Sequence, residues 1–136
     1  MVLVGIGELL RTLKSQVSLV IENCKISSKN QQILLCLVSK NSHVQGITMQ
    51  NCEIDFKKPQ DDLDNSSNQI IRVLRRSGGV KHLNLSQNWI SIDGAFTLSQ
   101  SLVHNFGTLQ TLDLTKNQIG PKGMRLITEA FKIDTT

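Results

Sequence analysis

Histidine and cysteine are the residues of this chain that could act as a base, a nucleophile or a metal ligand. The six candidates are His43, His82, His104, Cys24, Cys36 and Cys52. They are widely separated, and none falls within a Walker loop, a G-x-S-x-G elbow, an H-E-x-x-H helix or a paired C-x-x-C. The pattern therefore predicts no catalytic centre, no metal site and no cofactor.

The charged clusters point to surfaces rather than to chemistry. Asp61, Asp62 and Asp64 lack the Gly and the distal Glu of a calcium-binding loop, so a solvated loop explains them. Arg72, Arg75 and Arg76 have the i, i+3 and i+4 spacing of one helical face, and Lys81 follows them. A solvated outer face is the simpler interpretation, and contact with an acidic partner is the alternative. The net charge of +4 is modest, so nucleic acid is not favoured.

Two asparagines, Asn88 and Asn117, stand inside an apolar pattern that is written twice. The first copy is V-K-H-L-N-L-S-Q-N-W-I from residue 80, and the second is L-Q-T-L-D-L-T-K-N-Q-I from residue 109. Aliphatic residues occupy the first, fourth, sixth and eleventh places, and Asn occupies the ninth. Self-similarity at a fixed period is typical of stacked repeats.

Two earlier copies fit the same template. They are Q-V-S-L-V-I-E-N-C-K-I from residue 16 and V-Q-G-I-T-M-Q-N-C-E-I from residue 44. The ninth place is then Cys24 and Cys52, and Gln16 is the one departure from the apolar places. The starts at 16, 44, 80 and 109 are spaced by 28, 36 and 29 residues, so four repeats are predicted.

This pattern resembles the ribonuclease-inhibitor-like class of leucine-rich repeat proteins. The resemblance implies an α/β fold, a curved solenoid with parallel strands on the concave face and helices on the convex face. Relatives of the class include ribonuclease inhibitor, activators of the Ran GTPase, sensor regions of innate-immune receptors and the tropomodulin pointed-end cap. No residue here matches the Arg or Asn through which the Ran activators work.

The pattern predicts one domain over residues 1–136. Residues 1–15 are expected to form a capping helix or part of a further repeat, with leucines at 9, 10 and 13. Helices are expected at about 29–40, 68–76, 94–104 and 121–132. Their core faces would include Ile33, Leu34, Leu37 and Val38 in the first, Phe96 or Leu98 with Leu102 in the third, and Met124, Ile127, Ala130 and Phe131 in the last. Residues 55–67 are predicted to be a loop insertion, either a tolerated one or part of a binding face.

The ninth-place residues are expected to be structural. Where the chain leaves each strand, a buried Asn amide can satisfy backbone donors and acceptors that would otherwise lack partners. Cys24 and Cys52 would do so more weakly, as packed thiols rather than as a disulfide. Cys36 is expected to be a core or partly exposed thiol. An odd number of cysteines without metal-like spacing indicates a reducing compartment, so a cytoplasmic location is expected.

The outward residues of the strands are the predicted binding surface. Trp89 also points away from the core, and exposed Trp is enriched in binding hot spots, although it could pack on Phe56 or beside Gln118. The predicted protein-binding residues are Val20, Glu22, Thr48, Gln50, His82, Asn84, Ser86, Trp89, Asp113, Thr115 and Lys116; Arg72, Arg75 and Arg76 form a second candidate patch.

Together these features favour a non-catalytic protein-interaction module. It would act as a scaffold, adaptor or structural subunit of a larger assembly, such as a cytoskeletal one, and would need neighbouring subunits to cover its ends. The alternative is a regulator of an enzyme, an inhibitor or GTPase activator, that uses the concave face. No apolar run approaches the roughly 20 residues that span a bilayer.

Overall fold

The computed structural model describes residues 8–9, 12, 15–56, 70, 73–74, 80–103 and 108–134. Their elements alternate between strands and helices: β1 Val17–Glu22, α1 Ser28–Ser39, β2 Val44–Gln50, β3 His82–Asn84, α2 Ile92–Val103, β4 Thr111–Asp113 and α3 Gly120–Asp134. Helical residues at Ile70, Val73 and Leu74 lie between β2 and β3 and are fully buried. The rest of the predicted second helix lies outside the described residues.

The four strands form one parallel sheet in the order β1-β2-β3-β4. Its register follows the repeat template: Leu19 lies beside Ile47, Ile47 beside Leu83, and Leu83 beside Leu112. These are the fourth places of the four repeats. Because strands lie about 4.8 Å apart and packed helices about 8–10 Å apart, the sheet occupies the inside of the arc.

The register has one irregularity, and it explains the departure at Gln16. Val17 pairs with Val44, and the register shifts before Ser18 pairs with Gly46. Val17 therefore takes the apolar first place of repeat one, while Gln16 is exposed.

The core lies between the sheet and the helices. It is mainly aliphatic: Ile47, Met49, Leu83 and Leu85 from the strand segments pack with helix residues such as Leu98. Phe56 is the exception to this chemistry. It is fully buried, although it lies in irregular structure at the beginning of the predicted insertion loop, so this part of the chain contributes to the core. Residues 57–67 of that prediction lie outside the described residues.

The helices begin and end within about two residues of their predicted limits, and their buried faces differ in detail. In α1 the buried aliphatic residues are Leu34, Leu35 and Val38, whereas Ile33 is exposed and Leu37 only half-buried. Ser27 caps this helix by accepting a hydrogen bond from the backbone N–H of Asn30. The predicted buried face of α1 is therefore wrong at Ile33, which is exposed, whereas Leu35 is buried.

The last helix departs from prediction in a different way. Ile127 and Ala130 of α3 are buried against the stack, but Met124 is 44% exposed and Phe131 37% exposed. They lie on the side of the helix that a following repeat would cover. The predicted burial of these two side chains is therefore wrong in this structure.

The N-terminal prediction is only partly described. Glu8, Leu9 and Thr12 are helical, and Leu9 is exposed rather than packed on the first repeat. The other residues of 1–14 lie outside the described residues. None of the helices in the described part of the chain has the length and apolar composition needed to cross a membrane.

Candidate protein-binding site on the concave face

The turn that follows each strand has the same backbone geometry in all four repeats. The eighth place is in the left-handed region, with φ between 55° and 58°. The residues are Asn23, Asn51, Gln87 and Lys116. Asn adopts this conformation more readily than most residues, so Asn23 and Asn51 were a sequence signal for the turn. The sharp turn brings the ninth residue back under the sheet.

Asn88 shows what the ninth residue does there. Its Oδ1 accepts hydrogen bonds from the backbone N–H groups of Cys52 (2.9 Å) and Ile54 (3.0 Å). Its Nδ2 donates to the carbonyl oxygens of Met49 (2.6 Å) and Leu85 (2.9 Å). The predicted structural role of Asn88 is therefore confirmed.

The same bonding recurs in the neighbouring repeats. Asn117 Oδ1 accepts from the N–H of Ile90 at 3.0 Å, and its Nδ2 donates to the carbonyl oxygen of Leu85 at 2.9 Å. The buried thiol of Cys52 takes this role more weakly, with Sγ 3.5 Å from the carbonyl oxygen of Ile21. Burial raises the pKa of the Cys52 thiol, against a smaller lowering from a hydrogen bond with the backbone of Cys24.

Cys24 departs from the interior role predicted for it. It is exposed, and its Sγ lies 3.9 Å from the carbonyl oxygen of Lys25. Cys24, Cys36 and Cys52 are all free thiols. The expected packed pair is therefore wrong for Cys24.

With the turns and core in place, the third, fifth and seventh places of the repeats face away from the helices. We call the exposed and half-buried residues at these places the concave face: Ser18, Val20, Glu22, Thr48, Gln50, His82, Asn84, Thr111, Asp113 and Thr115. Gly46 occupies a third place and is buried. Ser86 occupies a seventh place but is only 5% exposed. The outward exposure predicted for Ser86 is therefore wrong.

Hydrogen bonds hold several of these side chains in place. His82 Nδ1 and Thr111 Oγ1 are 2.9 Å apart across neighbouring strands. Asp113 Oδ1 accepts from both the N–H of Thr115 (3.0 Å) and its hydroxyl (2.8 Å). These two bonds lower the pKa of Asp113, first through the backbone N–H and then through the hydroxyl. The carboxylate is thus ionised and fixed in position.

A groove with a volume of about 350 Å³ runs along this face. Ser18 and Gly46 line it on one side, where the Ser18 side chain packs so closely that a Cβ at position 46 would lie 2.5 Å from Ser18 Oγ. His82, Asn84 and Asp113 line it on the other side. Val20 stands on the same sheet with 58% of its surface exposed. The face therefore offers a gap, fixed polar groups and one apolar contact.

The tenth places form a ridge beside the concave face. Lys25 and Glu53 approach one another there, with 3.4 Å between Nζ and Oε2. Trp89 follows in the next repeat; its backbone N–H donates to the carbonyl oxygen of Ile54, and its side chain is 54% exposed. The predicted outward position of Trp89 is confirmed. Lys116 is exposed on the turn of repeat four.

A second opening lies at the end of the stack beyond β4. It has a volume of about 680 Å³ and is lined mainly by Leu112, Leu114, Met124, Ile127 and Phe131. Its walls are the apolar faces that each earlier repeat presents to its successor. The candidate patch at Arg72, Arg75 and Arg76 lies outside the described residues. Within the described residues, no group of three or more His, Cys, Asp or Glu side chains could hold a metal ion.

Comparison with known proteins agrees with this architecture. A family model described as a leucine-rich repeat matches residues 80–99 and 108–127, in repeats three and four. No curated protein matches the chain in sequence. Among solved structures, the chain is similar to the tropomodulin C-terminal domain of Caenorhabditis elegans, with a TM-score of 0.56 and 12% identity, over 99% of this chain and 94% of that chain. At this identity the similarity concerns the fold.

The family model covers the two repeats with Asn at the ninth place, whereas the two with Cys are recognised by their register in the sheet. The matched repeats, the four-stranded parallel sheet and the ninth-place hydrogen bonds lead to one assignment. The described residues have the leucine-rich repeat fold, and the family model identifies leucine-rich repeats at residues 80–99 and 108–127.

Proposed function

We propose that this chain is a non-catalytic protein-interaction module that binds its partner through the concave face. The observation that carries the proposal is the fixed arrangement of polar side chains there. Asp113 and His82 are held by hydrogen bonds before any partner arrives. A preorganised surface loses less side-chain entropy on binding, so more of the contact energy appears as affinity.

The chemistry of the concave face supports a protein partner. Hydroxyl, amide and carboxylate groups alternate across four strands, with Val20 as an exposed apolar contact. Trp89 stands on the adjoining ridge, where a large aromatic side chain can be covered by a partner. Mixed polar surfaces with an aromatic anchor are typical of interfaces that form and dissociate.

The same proposal gives the chain a place in a larger assembly as scaffold, adaptor or structural subunit. The apolar opening beyond β4, with Met124 and Phe131 exposed, supports a neighbouring subunit at that end. A cytoskeletal assembly is the setting we favour, because the fold is shared with a tropomodulin domain. Three free thiols support a reducing, cytoplasmic location.

A charge-reversal pair of variants tests the proposal. The concave variant carries Gln50→Lys, Asn84→Lys and Asp113→Lys. The control carries Asn30→Lys, Gln100→Lys and Glu129→Lys at exposed helix positions. Each variant adds four positive charges, because each of the two neutral residues gains one charge and the acidic residue gains two. Affinity capture with the intact chain, the control and the concave variant should recover the same partners from the first two and lose them from the third. Partners retained by the concave variant would refute the use of this face.

The alternative, regulation of an enzyme through the same face, is separated by a second experiment. Asn84, Trp89 and Asp113 are replaced together by Ala, and the captured partner is assayed for catalytic rate and for localisation. A change in localisation with an unchanged rate supports the scaffold role. A change in the rate of an enzymatic partner supports the regulator.

A further inference from the structure

Asn84 and Asp113 occupy the same place in neighbouring repeats and make the same local bond. They are paired in register between β3 and β4. Asn84 Oδ1 accepts from the N–H of Ser86 at 2.9 Å, and Asp113 Oδ1 accepts from that of Thr115 at 3.0 Å. A side chain bonded to the backbone two residues on has few rotamers left. Both side chains are therefore fixed on the sheet.

These bonds use one atom of each side chain and leave the other available. Among the described residues, the structure gives no hydrogen bond to Asp113 Oδ2 or from Asn84 Nδ2. Because neighbouring strands lie about 4.8 Å apart, an anionic acceptor and a neutral donor stand side by side in the groove. The lowered pKa of Asp113 keeps the acceptor charged at neutral pH.

The charge of the concave face contrasts with that of the chain. The whole chain carries a net charge of +4, yet the ionisable acids on the concave face are Glu22 and Asp113, and the face has no Lys or Arg. Lys116 is the nearest cation along the chain. The pKa of Asp113 is set by Thr115, with no contribution from a cationic side chain. The negative charge of Asp113 is therefore available to a partner.

Asp113 is exposed and borders both this groove and the larger opening beyond β4. Ser18 and Gly46 line the groove on one side, and the bonded pair His82 and Thr111 lines the other. A volume of about 350 Å³ is at the small end for ligand pockets, which suits one long side chain rather than a whole domain edge. A side chain that enters here meets the carboxylate of Asp113 beside the amide of Asn84.

We propose, on the basis of the function proposed above, that the concave face recognises an extended partner segment bearing a cationic side chain. The Lys or Arg of that segment donates to Asp113 Oδ2, and a backbone carbonyl of the segment accepts from Asn84 Nδ2. A charged donor on a carboxylate makes the stronger of these contacts and gives the face its selectivity. The contact between Asn84 Nδ2 and the backbone carbonyl sets the direction in which the partner segment crosses the concave face.

Titration of the ¹⁵N-labelled chain with acetyl-Gly-Arg-Gly-amide tests this, with NMR chemical shifts as the readout. The citrulline peptide is the matched control, because it keeps the shape of Arg without its charge. We expect saturable shifts at the amides of Asn84, Asp113 and Thr115, and binding of the citrulline peptide weaker by roughly two- to fivefold, the range of exposed ion pairs. Asp113→Asn should remove the difference, because it keeps the acceptor for Thr115 and loses the charge. Glu22→Gln should leave it unchanged.

Equal binding of the two peptides, shifts centred on Glu22, or no shifts at all would each overturn the proposal. These outcomes are separate from the capture experiment. If the concave variant loses the partner but the peptides show no preference for Arg, binding through the concave face is supported and recognition of a cationic side chain is refuted. If the peptides show a preference for Arg but the concave variant keeps its partner, the site for a cationic side chain is supported and its use by that partner is refuted.

Discussion

Asn117 donates a hydrogen bond from Nδ2 to the carbonyl oxygen of Leu85, 2.9 Å away across the boundary between repeats three and four. Asn88 makes the equivalent bond to Met49, and Cys52 approaches Ile21 in the same manner. From repeat two onward, the ninth residue thus bonds to the backbone of the preceding repeat. The stack is held by this polar ladder as well as by its aliphatic core.

Replacement of Asn88 by Ala should be among the most destabilising polar substitutions in the chain. It leaves the N–H groups of Cys52 and Ile54 and the carbonyl oxygen of Met49 buried without their partner. At roughly 1–3 kcal/mol for each such group, a loss of about 3 kcal/mol or more is expected in urea unfolding.

Two further variants make this prediction specific. Asn88→Cys should lose less than Asn88→Ala, because Cys52 already serves in the same place. The exposed Gln118→Ala should change the free energy of unfolding by less than about 0.5 kcal/mol. A loss below about 1 kcal/mol for Asn88→Ala would contradict the structural role of the ladder.

The buried thiol of Cys52 should make the stack less stable in alkaline solution. Burial raises its pKa above the ordinary value of 9.0. The unfolded chain therefore loses this proton before the folded chain does, and the contribution to stability is complete below pH 9.0 and falls as pH rises through the folded pKa. Urea unfolding between pH 7 and pH 10.5 measures this. Since lysines also titrate there, the test is the difference from Cys52→Ala, and identical slopes would contradict it.

Gly123 should be a helix glycine at which Ala destabilises. In an ordinary helix interior this change stabilises by about 1 kcal/mol. Here a Cβ on α3 would lie 2.5 Å from Cγ2 of Ile119 and 3.1 Å from the Cβ of Ala95 on α2. Overpacking typically costs about 1–3 kcal/mol, so a net loss is expected in thermal or urea unfolding. Ala95→Gly in the Gly123→Ala background should recover part of it, and a more stable Gly123→Ala chain would refute the close contact.

The apolar stripe of α3 should divide into two parts with different energetics. Ile127→Ala removes a buried side chain and is expected to cost about 2–5 kcal/mol. Met124→Gln with Phe131→Gln changes half-exposed side chains, so the free energy of unfolding should move by less than about 1 kcal/mol. If a subunit covers this end, the double variant should also reduce concentration-dependent association in sedimentation velocity. A large loss of monomer stability in the double variant would show that these side chains belong to the core.

Much of the fold followed from the repeat template, because every repeat turns the same four places toward the core. These places are fully buried in repeats two and three, and the strand places of repeats one and four are partly buried. The pairing of Leu19, Ile47, Leu83 and Leu112 was predicted by aligning the four copies. The role of Asn88 was also predictable, since an amide at an otherwise apolar site must satisfy both donors and acceptors.

The structure differs from the prediction where residues at equivalent places of the repeat have different neighbours. Cys24 occupies a ninth place but is exposed, whereas Cys52 in the equivalent place is buried. Met124 and Phe131 keep the helical stripe of a repeat, but they lie at the end of the described stack, where no described repeat covers them. Burial at the ends of a stack depends on what lies beyond the repeat, which the pattern within it does not encode.

The candidate site was predictable by position rather than by chemistry. The alternation of a strand places Asn84 and Asp113 on its outward face. The bonds that fix them, to Ser86 and Thr115, depend on the turn that follows the strand. The same turn buries Ser86, which strand alternation had placed outside. Asn23 and Asn51 carried the available sequence signal for this turn.

Amide hydrogen exchange of the chain with and without its captured partner tests the central claim most directly. If the concave face is the working surface, the partner should slow exchange in peptides that cover residues 44–51, 82–88 and 111–117, together with the ridge at Trp89. Peptides from α1 and α2 should be unchanged. Protection confined to those helices, with the strand and turn peptides unaffected, would contradict the account.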